Sequence, residues 1–372
     1  MNDHLEAWGG LLRATRFDEE TGAFFVIAIH SLARGPAAGG TRAMQYASSA
    51  DAVADASRLA EAMSLKLAIA GLPLGGGKSV IALPAPRSEL APSRWKRILE
   101  LHAQNVATFG GNYFTGPDIG TTSADMDVLH ARCGYAAGRS PASGGPGSSA
   151  PSTARGVYAA IKRSVTEAGM GEVAGLTILV QGLGAVGFDV ARLASVDGAR
   201  LLVADVDDEV SVRATEVGAD VISADRVLKV ASDVFVPCAT GGVIDSATAA
   251  SIQTRVVAGA ANNVLADPAA AGILRARGIV YAPDFVANAG GAIDLIGREV
   301  LGWSVERVAQ HVEGIGDTLG NIFDEARAGP DHGRRGSTPR CRTTERGRRK
   351  NRADGPPCSH ARRLIDTPLR CS

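Results

Sequence analysis

The stretch VQGLGAVG, residues 180–187, has the G-x-G-x-x-G spacing of a dinucleotide-binding turn. It follows an apolar run at 176–180 that predicts a strand, and the residues after it, through Ala194, predict a helix. A second apolar run at 200–205 ends in Asp205, 18 residues past the last glycine of the motif. Glycines alone would mean little, but a strand, a helix and an acid at these positions together predict a nicotinamide dinucleotide site.

Each part of this motif has a mechanical reason. Gly182 permits the tight turn, Gly184 lets backbone amides reach the pyrophosphate, and Gly187 allows the helix to pack closely on the strand. Asp205 would accept hydrogen bonds from the adenosine ribose hydroxyls and repel a 2′-phosphate, which favours NAD over NADP. The alternative is that Asp205 only caps the next helix.

Further cofactor contacts are expected from the rest of the turn and from neighbouring strands, because the carboxyl ends of parallel strands face the ligand crevice. Apolar runs at 233–237, 256–260 and 278–283 predict these strands. The additional residues expected at the cofactor are Leu183, Ala185, Val186, Val206, Ala239, Thr240, Ala260 and Asn262.

The 372 residues are enough for two domains with separate hydrophobic cores. Before the dinucleotide motif, predicted strands at 23–29 and 78–83 alternate with predicted helices at 49–70 and 92–108. A stretch rich in Gly, Pro and Ser at 138–149 marks a linker or hinge. The expected fold class is therefore α/β, with an N-terminal α/β domain and a C-terminal Rossmann (doubly wound) domain.

Composition excludes several classes of protein. A content of 45% hydrophobic and 21% charged residues is ordinary for a globular chain, and no run approaches 18 apolar residues. The first residues lack the basic and apolar regions of a secretion signal, and five cysteines in so long a chain do not predict a disulfide scaffold. We therefore expect a cytoplasmic protein with no membrane partner and no metal site.

The net charge of zero conceals a basic C-terminal segment. Residues 330–372 carry twelve Lys and Arg against four Asp and Glu, and three of the five cysteines. The segment has neither a helical nor a strand period, so we expect no fold for it. We interpret it as the translation of a shifted reading frame, and a genuine disordered tail is the alternative.

The stretch LPLGGGKS, residues 72–79, looks at first like a phosphate-binding loop. However, Leu72 stands where that motif needs a glycine, and the residues after Ser79 predict a strand rather than a helix. A different interpretation starts from Lys66 and Lys78, which lie twelve residues apart on either side of an apolar, glycine-rich turn. If the turn brings them together, burial and mutual repulsion would leave one lysine largely neutral, as a base, and the other a cation that can hold a carboxylate. Taken singly, each lysine would be an ordinary solvated charge.

Asp118 follows the aromatic pair at 113–114 in a loop rich in Gly and Thr. A carboxylate buried in such a loop could move protons during a reaction. An exposed one would be a plain turn residue, and the sequence leaves both interpretations open.

Six motifs, in chain order, carry a family resemblance: GPAAGGTR, LPLGGGKSVI, GPDIGTTSADMD, VQGLGAVG, VAGAANNVLAD and APDFVANAGGAI. They resemble the amino-acid dehydrogenase family that includes glutamate, leucine, valine and phenylalanine dehydrogenases, from about residue 15 to residue 325. The resemblance implies a catalytic domain, an NAD-binding domain and a cleft between them. The expected parts are a substrate-binding and catalytic domain at 1–136, a Rossmann domain at 137–304, a helix at 305–328 that returns to the first domain, and the Arg-rich tail at 329–372.

The resemblance also implies roles for individual residues. Lys78 would be the catalytic base and Asp118 the group that moves protons, while Lys66, the Gly40 amide and the Asn262 side chain would bind the substrate carboxylate. The implied reaction is hydride transfer from Cα of an L-amino acid to NAD, followed by hydrolysis of the imine and release of ammonia. The residues implied at the nicotinamide carboxamide, or close to it, are Ser149, Thr153 and Arg42.

The expected side-chain pocket decides the substrate. In glutamate dehydrogenases a lysine and a serine bind the side-chain carboxylate at the positions of Ala38 and Leu295, so glutamate is not expected here. Ala38 and Gly116 enlarge the pocket relative to leucine dehydrogenases, and Ala292, Leu295 and Pro117 would complete its wall. The larger pocket has room for a ring, so we expect L-phenylalanine as the substrate and interpret the chain as resembling phenylalanine dehydrogenases of the actinobacterial kind. Leucine- and valine-type amino acids are the alternative.

A rival from a different class is an NAD sensor whose Arg-rich tail binds nucleic acid electrostatically. The paired lysines and Asp118 argue against it, because a sensor has no need of such groups. We expect no nucleic-acid partner, and the resemblance suggests a homo-oligomer.

Overall fold

The structure is a computed structural model and describes residues 8–207 and 209–328. Its strands form two sheets, and helices pack on both. The strands are β1 (Leu12–Asp18), β2 (Ala23–Ile29), β3 (Ala37–Ala38), β4 (Thr41–Met44), β5 (Gly75–Ala82), β6 (Tyr113–Phe114), β7 (Thr177–Gln181), β8 (Arg200–Ala204), β9 (Asp220–Val221), β10 (Val234–Pro237), β11 (Val256–Val257) and β12 (Val280–Tyr281). The helices are α1 (Ser49–Ile69), α2 (Pro92–Ala107), α3 (Ser123–Cys133), α4 (Ala150–Glu167), α5 (Ala185–Val196), α6 (Val210–Glu216), α7 (Ser246–Ser251), α8 (Ala269–Ala276), α9 (Asp284–Ala287), α10 (Gly290–Glu299), α11 (Val305–Glu313) and α12 (Ile315–Ala328). Within this part of the chain, no helix combines the length and the hydropathy that a bilayer-spanning segment requires.

The first sheet is mixed and contains β1 to β6. Its order is β1-β2-β5-β3-β6, with β4 also paired to β5. The β1–β2 and β2–β5 pairs are antiparallel, whereas β3 and β4 run parallel to β5. The long central strand β5 therefore has neighbours along both edges, and its middle is fully buried.

The second sheet is parallel throughout, in the order β12-β11-β10-β7-β8-β9. From β7 the chain moves outward through β8 and β9, and it then returns to build β10, β11 and β12 on the other side of β7. The carboxyl ends of β7 and β10 consequently flank a topological switch point, where open α/β sheets bind ligands. The predicted α/β fold with a doubly wound C-terminal sheet is confirmed.

Helix α1 packs unusually close to the first sheet because its buried face is built from alanines. Ala52, Ala56 and Ala60, spaced four apart, are fully buried and contact Val26 of β2 and Val80 of β5. Residues four apart lie on the same face of a helix, so small side chains at these positions bring the whole helix toward the strands. The last turn of α1, which contains Lys66, therefore lies close to the first sheet.

The glycines at 75–77 lie in a strand, and the predicted glycine-rich turn at this place is wrong. They form the first half of β5, and the chain turns earlier, at Gly71, where φ is 71°. A Cβ atom at Gly76 would overlap the backbone nitrogen of Ser64 in α1, and one at the next residue would lie 2.8 Å from the Tyr113 ring. The glycines are therefore needed for close packing on both faces of the strand rather than for a turn.

The sequence predicts one helix at 305–328 that returns to the first domain, but these residues form two helices, α11 and α12. The contacts of α11 are with α4 and α10, and α12 reaches α4 through Ile315, which packs against Gly156. Leu319 and Phe323 extend the same hydrophobic core. The Arg-rich tail at 329–372 lies outside the described residues.

Replacing Gly76 with alanine should lower the free energy of unfolding by about 1–3 kcal/mol, because the new methyl group would force α1 away from β5. The matched control is Gly272→Ala in α8, where a Cβ has open space. That change should leave stability unchanged or raise it by about 0.5–1 kcal/mol through helix propensity. Urea titration of both variants measures the difference, and equal effects would contradict the close-packing account.

Candidate active site

A cavity of about 560 Å³ lies between the first sheet and the helices of the second. Its lining comes from β3, β4, β5, the loop after β6 and the end of α1 on one side, and from α9 and α10 on the other. The predicted site residues that line it are Ala38, Gly40, Arg42, Lys66, Lys78, Gly116, Pro117, Asp118, Ser149, Thr153, Ala260, Asn262, Ala292 and Leu295. The structure therefore brings together residues that are separated by more than 250 positions in the chain.

Lys78 projects from the middle of β5 and is only 6% exposed. Its ammonium group forms an ion pair with the Asp118 carboxylate. Burial lowers the pKa of Lys78, and the nearby Arg42 lowers it further, whereas Asp118 acts in the opposite direction. Lys78 can therefore lose its proton more readily than an exposed lysine.

Asp118 lies in the loop between β6 and α3, and it is not the plain turn residue that the sequence left open. One of its carboxylate oxygens, Oδ2, faces both Lys78 and Arg42, whose Nε lies 3.2 Å away. Thr121 fixes the loop because its hydroxyl accepts a hydrogen bond of 3.0 Å from the Asp118 backbone N–H. Burial works to raise the pKa of Asp118, but Lys78, the Ile119 backbone N–H and Arg42 together hold that pKa below its usual range.

Lys66, in the last turn of α1, reaches the junction between α9 and α10. Its ammonium donates a 2.7 Å hydrogen bond to Oδ1 of Asn288, and the Asn288 amide donates to the Asn262 side chain at 2.8 Å. Burial lowers the pKa of Lys66 to about 8, with Lys78 adding to the effect and Asp284 opposing it. The result is a cation and two amides arranged around one end of the cavity, a set that can hold a carboxylate.

Much of the cavity lining is apolar. Ala38 of β3 and Leu295 of α10 contribute to it, and Gly116 adds no side chain. A Cβ at Gly40 would lie 2.8 Å from the Pro117 carbonyl oxygen, so this backbone segment stays close to the loop that carries Asp118. The other apolar side chains along this wall are Met63, Phe114, Ala292, Ile296 and Val300.

The glycine turn stands at the switch point of the second sheet. Gly182 has φ of 90°, and a Cβ at Gly187 would overlap the Gly182 carbonyl oxygen, so both positions require glycine. Gly184 is the N-cap of the twelve-residue helix α5 and offers no side-chain cap, which leaves the first N–H groups of the helix available to an anion. Open space surrounds the Cα of Gly184.

Asp205 closes β8 beside this turn and does not cap a helix. Its carboxylate accepts hydrogen bonds from the backbone N–H of Leu183 at 2.6 Å and of Val206 at 2.7 Å, and the next helix begins only at Val210. The capping alternative is therefore wrong. The carboxylate stands at the position from which an acid reaches the ribose hydroxyls in dinucleotide folds.

Four other residues predicted to contact the cofactor lie at two different places, the switch point of the second sheet and the cavity. Ala239 packs against Gly182, and Thr240 is exposed next to it, so both stand at the switch point without lining the cavity. Ser149 and Thr153 belong to the cavity, where a Cβ at Gly291 would lie 2.6 Å from the Thr153 hydroxyl. An extended cofactor could thus run from the glycine turn to the cavity.

Comparison with known proteins identifies the chain. Residues 18–135 match the sequence model of the Glu/Leu/Phe/Val dehydrogenase dimerisation domain, and residues 203–326 match that of Glutamate/Leucine/Phenylalanine/Valine dehydrogenase. The leucine dehydrogenase of Thermoactinomyces intermedius is 40% identical over 312 residues, covering 83% of this chain and 84% of that protein. The chain belongs to this family of amino-acid dehydrogenases.

Two further relatives, one compared by sequence and one by structure, are also amino-acid dehydrogenases. The valine dehydrogenase of Streptomyces coelicolor is 39% identical over 315 residues, covering 83% of this chain and 85% of that protein. The crystal structure of L-tryptophan dehydrogenase from Nostoc punctiforme superposes with a TM-score of 0.77 at 31% identity, covering 88% of this chain and 94% of that one. These findings confirm the family resemblance read from the motifs.

NAD is the cofactor of this dehydrogenase. The residues present fit it, since the glycine turn, the uncapped N-terminus of α5 and the Asp205 carboxylate supply the parts that a dinucleotide needs. The Asp205 carboxylate would repel the 2′-phosphate of NADP, as expected from the sequence.

Sequence reasoning missed several residues of the site. Asn288 stands in the quoted motif APDFVANAGGAI, but its partner Lys66 is 222 positions away, so the contact had no local signal. Asp284 accepts from the Asn263 backbone N–H at 2.5 Å, which holds Asn263 at φ of 53° beside Asn262. Met63 also lines the cavity and lies three residues before Lys66 in α1. Residues three apart share one face of a helix, so this spacing is the sequence signal that could have identified Met63 as a site residue.

We expect a small aliphatic monocarboxylate such as 4-methylpentanoate to bind in the presence of NAD, with an affinity that falls as pH rises. The direction of this pH dependence follows from the pKa of Lys66, which is about 8: the lysine is cationic below this pH and loses its charge above it. Affinity should therefore be constant below about pH 8 and weaken toward tenfold per pH unit above it.

Isothermal titration across a pH series measures this binding. Lys66→Met should bind the carboxylate weakly at every pH, whereas Lys96→Met, at an exposed position of α2, should behave like the wild type. A pH-independent affinity, or equal behaviour of the two variants, would contradict the assignment of the carboxylate end to Lys66.

Proposed function

We propose that this enzyme catalyses the NAD-dependent, reversible oxidative deamination of L-amino acids with branched aliphatic side chains, giving a 2-oxo acid and ammonia. The observation that carries the proposal is the lining of the cavity, which combines the Lys66 cation, the Lys78–Asp118 ion pair and apolar side chains such as Leu295. An amino acid has groups that match these three: a carboxylate, a reacting Cα–N centre and an apolar side chain.

The choice of branched aliphatic substrates rests on the relatives. The sequence favours phenylalanine, but the curated proteins that match at 38–40% identity are leucine and valine dehydrogenases. Phenylalanine specificity is unconfirmed by these relatives, and the alternative of leucine- or valine-type substrates fits them better. Glutamate is a poor fit because neither Ala38 nor Leu295 can pair with a side-chain carboxylate.

A second candidate substrate is an aromatic amino acid such as L-phenylalanine. Two observations favour it: Ala38 and Gly116 leave room in the side-chain end, and one structural relative is a tryptophan dehydrogenase. A methylene or two in an apolar pocket changes specificity by only about 1–3 kcal/mol, so overlap between the two substrate classes is expected.

In the proposed mechanism, the cationic end orients the substrate. Lys66 holds the carboxylate, and the Gly40 N–H and the Asn262 amide complete its hydrogen bonds. Asn288 keeps Lys66 directed into the cavity through their 2.7 Å hydrogen bond. Bound NAD would supply the hydride acceptor for Cα, and Ser149 and Thr153, which line the cavity, would contact its nicotinamide.

Lys78 and Asp118 are proposed to move the protons. Neutral Lys78 takes a proton from the water molecule that attacks the imine carbon, because burial lowers the pKa of Lys78 and favours the free amine. Asp118 is ionised at rest, so it can take a proton from the substrate nitrogen and return it until ammonia leaves. Both groups need a site from which bulk water is excluded, since solvent would restore ordinary pKa values.

We also propose that the enzyme works as a homo-oligomer. The support is the match of residues 18–135 to a dimerisation domain. Gel filtration with light scattering at assay concentration checks this directly.

A panel of L-amino acids with saturating NAD tests the proposed substrate class. We expect kcat/KM for leucine and valine to exceed that for phenylalanine, and that for glutamate to be lower by a factor of about 10³ or more because its charge would be unpaired. A higher kcat/KM for phenylalanine than for leucine and valine would establish the aromatic candidate instead. Preference for glutamate, or no turnover of any amino acid, would overturn the proposal.

Lys78→Ala should lower kcat by a factor of about 10² or more while NAD affinity stays near the wild-type value, because the change removes the base and not the cofactor site. The matched control is Lys96→Ala on the exposed face of α2. Retained turnover in Lys78→Ala would contradict the role of Lys78 as the base.

A further inference from the structure

A chain of charged groups leads away from the reacting centre and ends at Asp55 on α1. Arg42 lies in its middle, with Nε 3.2 Å from Asp118 Oδ2 and Nη1 3.0 Å from Asp55 Oδ2. Asp55 in turn accepts from the Tyr46 hydroxyl at 2.8 Å and pairs with Arg58 at 2.7 Å. Both oxygens of the Asp55 carboxylate are therefore occupied, and the side chain is held in one orientation.

Arg42 competes with Lys78 for a single oxygen atom. Both cations face Asp118 Oδ2, so Asp118 alone cannot balance the two charges. Arg42 and Asp55 are each only 16% exposed, which limits the screening of their interaction by water. Asp55 is thus the second carboxylate of a partly buried group with two cations and two anions.

We propose that Asp55 is a positioning residue of the reaction: it holds Arg42 against Asp118 and offsets the charge that Arg42 would otherwise place beside Lys78. The inference rests on the proposed function, in which Lys78 is the base. Asp55 does not touch the space for the substrate, and it acts through Arg42.

The charged groups that face Lys78 come from three elements. Asp118 lies on the loop after β6, Arg42 on β4, and Asp55 and Lys66 on α1. Asp118 and Asp55 raise the pKa of Lys78, and Arg42 lowers it. Loss of either carboxylate should make Lys78 lose its proton at lower pH, whereas loss of Arg42 should have the opposite effect.

The groups that face Asp55 do not cancel its charge within the assay range. Tyr46 stays protonated, because burial and the hydrogen bond to Asp55 raise the pKa of its hydroxyl. Arg58 is 59% exposed, so water screens much of its interaction. Asp55 itself stays ionised: burial opposes this, but the bonds from Tyr46 and Arg58 and the charge of Arg42 keep its pKa low.

A merely structural role for Asp55 gives a different expectation. Removing a carboxylate that ties β4 to α1 would then lower stability and kcat but leave the pH dependence of the reaction in place. The acid limb of kcat/KM, which reports the deprotonation of Lys78, separates the two cases.

The test compares kcat/KM profiles for L-leucine, or for the best substrate of the panel, at saturating NAD across neutral to alkaline pH. Asp55→Asn should move the acid limb at least about half a pH unit downward, and Arg42→Gln should move it upward by a similar amount. Asp55→Glu keeps the charge and Tyr46→Phe keeps every charge, so both should leave the limb near its wild-type position. Glu61→Gln removes an exposed carboxylate from the same helix and should have no effect.

The inference is overturned if the limb of Asp55→Asn stays in place or moves upward, or if Asp55→Asn and Arg42→Gln shift it in the same direction. Should Asp55→Asn fail to fold, Arg42→Gln decides alone: an upward shift supports the inference and any other result overturns it. These outcomes are distinct from failure of the proposed function, which would appear as absent turnover in the wild type, or as an acid limb that persists in Lys78→Ala.

Discussion

The burial of an ammonium group against a carboxylate is the constraint on which this site depends. Lys78 is taken out of water by β5 and its neighbours, and Asp118 is its immediate counter-ion. Burial of a charge is costly unless it is paired, and a lysine responds to that cost by giving up its proton more easily. Asp118 also pairs with Arg42, and the Arg42 charge lowers the pKa of Lys78. Lys78 therefore holds its proton less strongly than it would in an isolated ion pair with Asp118.

The fold can be understood as the means of creating this environment. Alanines on α1 and glycines in β5 let the helix and the strand that carry Lys66 and Lys78 pack closely together. The loop after β11 supplies Asn262 and the junction between α9 and α10 supplies Asn288, and these amides meet Lys66 only in the folded chain. The contacts that pack α1 against β5 and join Lys66 to Asn288 therefore also position the charged groups of the proposed substrate site.

Much of this architecture could be predicted from the sequence, because its signals are local. The strand predicted at 23–29 has the same bounds as β2, and the glycine turn and Asp205 lie where the spacing predicts them. Strands β11 and β12 are shorter than predicted, since apolar runs do not show where pairing ends. The motifs also located Lys66, Lys78 and Asp118, although their partners could not be read from spacing.

What the sequence could not supply is long-range geometry. The triple glycine was interpreted as a turn because glycine favours turns locally, whereas contacts with Ser64 and Tyr113 decide its conformation. The Lys66–Asn288 and Arg42–Asp118 pairs join residues that are 222 and 76 positions apart. Neither pair produces a periodic pattern in the sequence from which the contact could be predicted. Electrostatic tuning of Lys78 by Asp55 likewise depends on three elements that meet only in the folded protein.

The most direct test of this account is the proton affinity of Lys78 itself. Trace acetylation of the apoenzyme with acetic anhydride across a neutral to strongly alkaline pH series, read by peptide mass spectrometry, gives a titration curve for each lysine in one experiment. Lys96, at the surface, serves as the internal reference. The account predicts that Lys78 titrates below the ordinary lysine value of 10.5. A Lys78 midpoint at or above 10.5 would contradict it.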